Sequence, residues 1–377
     1  MFAALAVAER TTLEARNGSR VVWQVEHLGT GGPLTVAGPL VIAALGGAGE
    51  VAGLALRGSP GAALVAVDRA TGQSRWTLAV DANEWAIVTS IAAIDPTDLV
   101  VAGSFSGTLR IGDQVVSSGG RHDGFVARIA ATGAPRWLRR VGGPGGDSVQ
   151  GVATRGTRIA ITGTFSAGAD LLGESLLPFD ERSVMADLFV AELDADGARK
   201  WTHTFGGKAD DAAVGIAIDS RGRIAIAANA RDTIRHEGKD LVTRGPSDGL
   251  VAWYGLDGAP GAAFLIGDLD ADGLHAITAV DDRIVIGGFF AGTVNLGGAQ
   301  LRAHGDDAFV AVLDGREVVD VVHIAGAGRE ELVALAAVPG GFAAGIAHTA
   351  GFSIAGATPP APRDPARGAA IVVQPVP

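Results

Sequence analysis

The sequence contains no cysteine, a single tyrosine and few aromatic residues, which make up only 5% of its 377 positions. Without cysteine the chain forms no disulfide, and thiolate catalysis and cysteine-based zinc sites are excluded. The shortage of aromatic side chains means that the core consists of alanine, valine, isoleucine and leucine. No apolar run approaches the roughly 18 residues that a membrane span requires, and no amphipathic helical pattern is visible.

Basic residues are also scarce, because 30 Lys and Arg oppose 41 Asp and Glu and give a formal net charge of −11. No basic stripe is present to neutralise phosphates, so a nucleic acid is not an expected partner. Glycine, by contrast, is abundant at 56 residues. Without a collagen period, this abundance indicates turns, bulges and tight strand packing.

A unit of about 60 residues repeats along the chain. Each copy contains an apolar strand, a turn with glycine and usually a tryptophan. The clearest copies are Asp123–Trp137 and Asp187–Trp201, and the weaker ones are Gly61–Trp76, Asp248–Trp253 and Asp307–Gly315. A fixed period of this size indicates a closed or stacked repeat architecture, in which the fold is a scaffold and function resides in loops.

Repeat three shows the four predicted strands most clearly. Strand A is Asp147–Ala153, strand B is Thr157–Phe165, strand C is Asp187–Leu193 and strand D is Arg199–Phe205. A long loop, Ser166–Met185, separates strands B and C. The same four elements recur in repeats with the approximate bounds 33–80, 81–143, 144–207, 208–268, 269–327 and 328–377.

The last repeat lacks strand D, whereas the N-terminal stretch Val21–His27 has the pattern of an isolated one. We therefore predict one all-β domain over residues 1–377, a closed propeller of six four-stranded blades whose last blade is completed by this N-terminal strand. Met1–Glu9 lacks a basic segment and is interpreted as a strand rather than a signal peptide. Met1–Glu9 is similar to strand C of the repeat. A seven-bladed propeller, or a longer natural chain, is therefore the alternative.

Repeats two to five resemble the bacterial β-propeller repeat of SBBP type. The matching motifs are Gly-[Ser/Thr]-Phe at Gly103–Phe105 and Gly163–Phe165, and Asp-Xaa-Phe-Val-Ala at Asp123–Ala127 and Asp187–Ala191. Leu64–Trp76 of repeat one is instead similar to a pyrroloquinoline-quinone-type propeller repeat. The resemblance implies an exported or surface protein of bacteria, and it implies neither an activity nor the quinone cofactor.

Acidic residues recur in the loops between strand D of one repeat and strand A of the next. They include Asp81, Glu84, Asp147, Asp211 and Asp272. A functional interpretation is a ring of negative potential for a cation or a basic partner, and a structural one is that Asp bonds the backbone of a turn. Trp85 breaks the repeat pattern within one acidic loop, and His122 lies in a B-to-C loop on the same expected face. Both are candidate ligand contacts.

The segment Asp268-Leu-Asp-Ala-Asp-Gly273 has the acidic spacing of a calcium loop. The bidentate glutamate of such a loop is missing, because its position is Ala279. Asp268, Asp270 and Asp272 are thus either calcium ligands or an acidic turn. No zinc motif occurs among the histidines, and Gly103-Ser-Phe-Ser-Gly107 is a repeat feature rather than a nucleophile elbow.

The favoured hypothesis is a non-catalytic binding or scaffolding propeller that recognises a protein or a glycan through its D-to-A and B-to-C loops. One alternative is a metal-dependent propeller hydrolase or lyase, and another is a structural surface repeat with no discrete ligand. The periodic tryptophans Trp23, Trp76, Trp137 and Trp201 are expected to pack between blades. The longest B-to-C loops, Ser166–Met185 and Gly351–Arg367, are expected sites of recognition.

Overall fold

The structure is a computed structural model, and it describes residues 2–7, 10–17, 20–179, 185–326, 328–348, 352–354 and 368–376. These ranges are all-β and contain no helix, so they offer no helix that could cross a membrane. The chain forms two compact units, Met1–Val184 with Phe189–His203 and Met185–Leu188 with Thr204–Pro377.

The first compact unit begins with a small N-terminal sheet, formed by β1 (Phe2–Val7), β2 (Arg10–Asn17) and β3 (Arg20–Leu28). Repeat one follows with β4 (Thr30–Ala37), β5 (Leu40–Gly47), β6 (Glu50–Val51), β7 (Leu54–Ala55), β8 (Gly61–Asp68) and β9 (Ser74–Ala82). Repeat two gives β10 (Trp85–Asp95), β11 (Asp98–Ser106), β12 (Thr108–Ile111), β13 (Gln114–Ser117), β14 (Asp123–Ala130) and β15 (Pro135–Gly142).

The boundary between the compact units falls within two strands of repeat three, β20 and β21. This repeat contains β16 (Ser148–Arg155), β17 (Arg158–Phe165), β18 (Asp170–Leu171), β19 (Glu174–Ser175), β20 (Asp187–Leu193) and β21 (Arg199–Gly207).

The second compact unit contains repeats four to six. Repeat four gives β22 (Ala212–Ile218), β23 (Ile224–Ala230), β24 (Thr233–His236), β25 (Lys239–Val242), β26 (Asp248–Tyr254) and β27 (Pro260–Ile266). Repeat five gives β28 (Gly273–Val280), β29 (Arg283–Leu296), β30 (Ala299–Asp314) and β31 (Glu317–Gly326). Repeat six gives β32 (Glu330–Val338), β33 (Gly341–His348), β34 (Phe352–Ile354) and β35 (Gly368–Pro375).

Each of repeats one to five folds as an antiparallel meander, in which strand A pairs with B, B with C and C with D. In repeat two the order is β10-β11-β14-β15, and in repeat four it is β22-β23-β26-β27. Repeat six shows the first three strands as β32-β33-β35. The predicted strands of the repeat are confirmed, whereas the number of blades and the closure of a ring stay predictions.

The middle strands B and C are buried along nearly their whole length, because both faces of each sheet are covered. On β11, Val101 packs in a cluster with Leu64 of repeat one. Its neighbour Val100 packs in a different cluster with Phe165 of repeat three. Successive side chains of a strand point to opposite faces, so one strand supplies two cores. Each fully buried Val, Leu, Ile or Phe contributes about 1.5–3 kcal/mol through removal of apolar surface from water.

Packing explains the glycine of the Gly-[Ser/Thr]-Phe motif. A Cβ at Gly103 would lie 2.7 Å from the Phe125 ring and would collide with the Ile87 carbonyl. Gly163 has the same relation to the Phe189 ring, also at 2.7 Å. Glycine at the end of strand B therefore makes room for the phenylalanine of the adjacent strand C.

Most B-to-C connections carry a short hairpin that the sequence analysis treated as loop. Its first strand pairs with strand D of the preceding repeat, as Leu109 of β12 pairs with Ala82 of β9. Further cases are β18 on β15, β24 on β21 and β34 on β31. Each of these pairings joins consecutive repeats through backbone hydrogen bonds. Residues 180–184 of one predicted recognition loop, and 351 and 355–367 of the other, lie outside the described residues.

Three of the four periodic tryptophans, Trp23, Trp76 and Trp137, contact the turn of the following repeat, as predicted. The Trp137 Nε1–H donates to the Ala195 carbonyl at 3.0 Å, and its ring lies on Gly197, a turn residue with φ +75°. A Cβ at Gly197 would come within 3.0 Å of the ring. Two further tryptophans donate in the same way to the turn of the next repeat, Trp76 to Ala131 and Trp23 to Arg69.

The N-terminal strand differs in part from the expectation. Trp23 places β3 in the strand D position beside repeat one. However, β3 pairs with β2 in a separate sheet, and the described part of β35 pairs with β33. The predicted completion of the last blade by Val21–His27 is therefore not seen in the described ranges, because the chain preceding β3 forms its own antiparallel partner.

We predict that Trp137→Ala lowers the free energy of unfolding by about 3 kcal/mol, because it removes a buried ring from the junction between repeats. Trp137→Phe retains most of the packing and loses one hydrogen bond, so a loss of about 1 kcal/mol is expected. Urea denaturation measures both values. An alanine variant as stable as the unmodified protein contradicts the packing account.

Candidate functional site

At one end of the sheets, the loop before strand A meets the loop before strand C of the preceding repeat. The Asp147 N–H donates to the His122 carbonyl at 2.9 Å, and the Arg121 N–H donates to the Gly145 carbonyl at 3.1 Å. The second compact unit repeats the first of these bonds, from Asp211 to Ala186 at 3.0 Å and from Asp272 to Ser247 at 2.9 Å. The D-to-A and B-to-C loops of consecutive repeats therefore meet, as predicted, and this region is called the loop end.

Buried carboxylates hold the loop end together. Asp147 Oδ2 accepts the Gly143 N–H at 2.7 Å, and its Oδ1 accepts the Ser166 N–H at 2.8 Å. Gly143 begins the D-to-A loop, and Ser166 is the first residue after strand B. Asp272 makes the equivalent pair of bonds, to the Asp268 N–H at 2.7 Å and the Ala291 N–H at 3.2 Å. Asp211 accepts the Arg231 N–H at 3.2 Å. We call Asp147, Asp211 and Asp272 the carboxylate clasps.

The clasps are not a charged surface ring. Their exposed fractions are 1% for Asp147, 2% for Asp211 and 1% for Asp272. Their oxygens face backbone amides rather than solvent. This agrees with the structural interpretation, in which the recurring acidic residues bond the backbone of a turn. Contact of a ligand with these three side chains stays a prediction, and the described geometry gives them a structural task.

Burial raises the pKa values of the clasp carboxylates. Loss of water raises the pKa of Asp147, and the amides of Ser166 and Gly143 oppose that rise. Burial raises the pKa of Asp211 to about 7 and that of Asp272 to about 6. Nearby carboxylates of strand C, Asp187 and Asp248, add to these rises by repulsion.

Trp85 occupies the place where the clasp pattern is interrupted. The pairing of Ala86 with Phe105 matches the position of Asp147 relative to Phe165, so Ala86 replaces the carboxylate and Trp85 replaces Gly146. The Ala86 N–H still donates to the carbonyl of the preceding repeat, at Pro60, over 2.8 Å. The backbone contact is thus retained, while the side chain of the clasp is absent and a large indole appears beside it.

The indole of Trp85 lies against the imidazole of His122, with ring centroids 5.5 Å apart and planes inclined by 48°. Both side chains are half-buried, and Glu84 and Arg121 beside them are exposed. The Ser106 hydroxyl contacts the Glu84 carboxylate and lies 2.8 Å from the Arg121 carbonyl. These four residues, Glu84, Trp85, Arg121 and His122, are called the Trp85 patch. It combines a flat apolar surface with a positioned carboxylate and a guanidinium.

The other predicted contacts are placed differently. Asp81 accepts the Arg57 N–H at 2.7 Å and the Gly58 N–H at 3.3 Å, so it fastens the B-to-C loop of repeat one. The structure therefore brings together Glu84, Trp85 and His122 and gives Asp81 a separate structural contact.

The three candidate metal ligands do not converge. Asp272 points inward onto amides, whereas Asp268 Oδ1 lies 4.0 Å from Arg244 Nη1 and Asp270 is exposed. In the part of the chain that the structure describes, no group of three or more histidine and acidic side chains is arranged to hold a metal ion. Calcium binding at this loop stays a prediction.

Sequence reasoning missed Arg121, a member of the Trp85 patch, and Ser106, which contacts Glu84. Ser106 was seen only as part of Gly103-Ser-Phe-Ser-Gly107, which the structure places in β11 and its following turn rather than before a helix. Arg121 immediately precedes His122, and that adjacency was the available signal. Neither residue belongs to a chemical motif, so only the folded contacts identify them.

No protein-family model matches the chain, and no curated protein matches it in sequence. Among solved structures, it is similar to BamB from Moraxella catarrhalis, at 13% identity and a TM-score of 0.43, covering 91% of this chain and 92% of that one. It is also similar to the quinohemoprotein alcohol dehydrogenase ADHIIG from Pseudomonas putida HK5, at 12% identity and a TM-score of 0.46, covering 93% and 61%.

A further similar structure is the β-propeller domain of the Trilobed protease from Pyrococcus furiosus, at 10% identity and a TM-score of 0.33, covering 88% and 96%. These similarities are too low to transfer a function to this chain.

We predict that Asp147→Asn lowers the free energy of unfolding by about 2 kcal/mol, because an amide group replaces an oxygen that accepts a buried N–H. Asp113→Asn is the control, since Asp113 is exposed in a hairpin turn and its change is expected to stay within about 0.5 kcal/mol. Chemical denaturation near neutral pH compares the two. Equal stability of both variants contradicts the clasp.

Proposed function

We propose that the protein is a non-catalytic binding or scaffolding propeller that recognises a glycan or a protein through the Trp85 patch. The observation that supports this is the position of Trp85. A half-exposed indole occupies the site that Gly146 holds in the next repeat, and it lies 5.5 Å from a second ring, that of His122. Packing between repeats does not require it, because Trp76 and Trp137 already serve that purpose.

The chemistry of the patch suits a ligand with both an apolar face and polar groups. An indole offers a large contact area with two rotatable bonds, so little conformational entropy is lost when it binds. Glu84 is oriented by the Ser106 hydroxyl and presents an acceptor, and the exposed Arg121 adds a guanidinium with several donors. A sugar ring or a protein loop meets these requirements.

The proposal also includes the blade architecture and the cellular location of the protein. The repeats are proposed to form the blades of a propeller, with six favoured over seven. The resemblance to SBBP-type repeats favours an exported bacterial protein, located in the periplasm, on the cell surface or outside the cell. The absence of cysteine is compatible with such a location.

Trp85→Ala is expected to weaken binding at least about 30-fold, since aromatic anchors at the centre of an interface commonly contribute 2 kcal/mol or more. A glycan array and pull-down from the native organism identify the ligand, and calorimetry then measures its dissociation constant. The circular dichroism spectrum and melting temperature of the variant should match those of the unmodified protein, because Trp85 is only half-buried.

Leu269→Ala is the matched control, because Leu269 is a 77% exposed apolar residue of a D-to-A loop in the second compact unit. It should leave the affinity unchanged. Unaltered affinity of Trp85→Ala removes the patch as the site, and silence of both array and pull-down favours a structural repeat without a discrete ligand.

The effect of calcium on the melting temperature distinguishes the binding hypothesis from the hypothesis of a metal-dependent hydrolase or lyase. Asp272 already accepts two backbone amides, and the described residues include no group of three histidine or acidic side chains arranged to hold a metal ion. We therefore expect millimolar calcium to leave the melting temperature unchanged within about 1 °C, since a ligand that does not bind the folded state cannot stabilise it. A calcium-dependent rise that Asp270→Asn abolishes supports the metal-dependent alternative.

A further inference from the structure

A second large apolar side chain lies beside the Trp85 patch. Ile87 is 40% exposed, although isoleucine is among the residues that proteins most often bury. It follows Trp85 by two residues on β10, and the pairing of β10 with β11 is regular from Trp85 to Val88. Successive side chains of a strand point to opposite faces, so Trp85 and Ile87 share one face.

The chain neighbours of Ile87 identify the opposite face as core. Ala86 is buried in the cluster that contains Leu64 of repeat one, and Val88 packs against the same cluster. Trp85 and Ile87 therefore point away from this core. Their positions on β10 are about 7 Å apart along the strand.

Ile87 is also an exception to the pattern of the repeat. It pairs with Ser104 of strand B, and its equivalents in repeats three to six are small or charged: Ser148, Ala212, Gly273 and Glu331. Duplication of the repeat therefore explains neither Trp85 nor Ile87. The two exceptions lie next to each other on one face of one strand.

Repeat three supports the aromatic part of this surface. A Cβ at Gly146 would lie 2.6 Å from His122 Cε1, so the imidazole rests on the backbone of Gly146. The Trp85 ring in turn lies against that imidazole. These contacts orient the indole before a ligand arrives, which lowers the entropic cost of binding.

The aliphatic side chain favours a protein over a glycan as the partner. A sugar that extends from the indole over Ile87 would bury hydroxyl groups against a side chain that forms no hydrogen bond, which is costly. An apolar side chain of a protein loses no hydrogen bond there and gains from the removal of both surfaces from water. An extended protein chain also places alternate side chains about 7 Å apart on one face, which matches the spacing of Trp85 and Ile87.

We propose that Trp85 and Ile87 form an apolar strip that binds an extended protein segment carrying two apolar side chains at positions i and i+2. The inference rests on the proposed function of the Trp85 patch and narrows its partner to a protein. The exposed Glu84 and Arg121 flank the strip and select charged side chains beside the apolar pair.

A displayed library of random linear dodecapeptides, screened on the full chain, tests the class of partner, and a glycan array is the competing arm. We expect enriched peptides that share two apolar residues at i and i+2. A synthetic peptide of the enriched sequence is then titrated by calorimetry. Ile87→Ser should weaken its binding at least about tenfold, because the apolar contact is lost. Ile87→Leu keeps an apolar side chain and should stay within about threefold of the unmodified protein.

Val115→Ser is the control, because Val115 is a 44% exposed apolar residue of β13 in the same repeat. It should leave the affinity for the peptide unchanged. Affinity that Trp85→Ala lowers and Ile87→Ser does not lower overturns the strip and leaves the proposed function in place, whereas affinity that neither variant lowers removes both. Binding on the glycan array alone, or a library without enriched peptides, also overturns the inference.

Discussion

A buried carboxylate that accepts backbone amides from two loops is the interaction on which the loop end depends. Asp147 joins the start of the D-to-A loop, at Gly143, to the first residue after strand B, at Ser166. Burying a carboxylate is costly unless hydrogen bonds replace its water, and here two N–H groups do so. The loops are therefore fixed by the carboxylate, and the shape of the loop end follows from its position.

The strands, tryptophans and hairpins of each repeat also join neighbouring repeats. The strands B and C are apolar on both faces, and the sheet of repeat two, for example, lies between two cores. Tryptophans such as Trp137 join strand D to the turn of the next repeat, and the short hairpins add backbone bonds between the same partners. In the first compact unit, successive repeats are thus joined at their turns, along their faces and at their loop ends. At one position Ala86 replaces the clasp carboxylate, and the adjacent Trp85 adds an indole ring to the loop end.

Much of the fold was predictable because the repeat shows the same pattern several times. Strand β20 begins and ends at the predicted residues, Asp187 and Leu193. The hairpins were not predictable, since β18 and β19 contain only two residues each and β18 also pairs with β15 of another repeat. Trp85 was identified as an exception to the pattern. Its contact with His122, and the burial of Asp147, depend on bonds between distant parts of the chain that no local pattern specifies.

Native-state hydrogen exchange at the clasped amides tests the central claim most directly. Gly143 and Ser166 donate to Asp147, and Asp268 and Ala291 donate to Asp272. If the carboxylates organise the loop end, these four amides exchange as slowly as those in the middle of β17, because they open only with the sheet. Exchange as fast as at the exposed turn residue Gly156 contradicts the account.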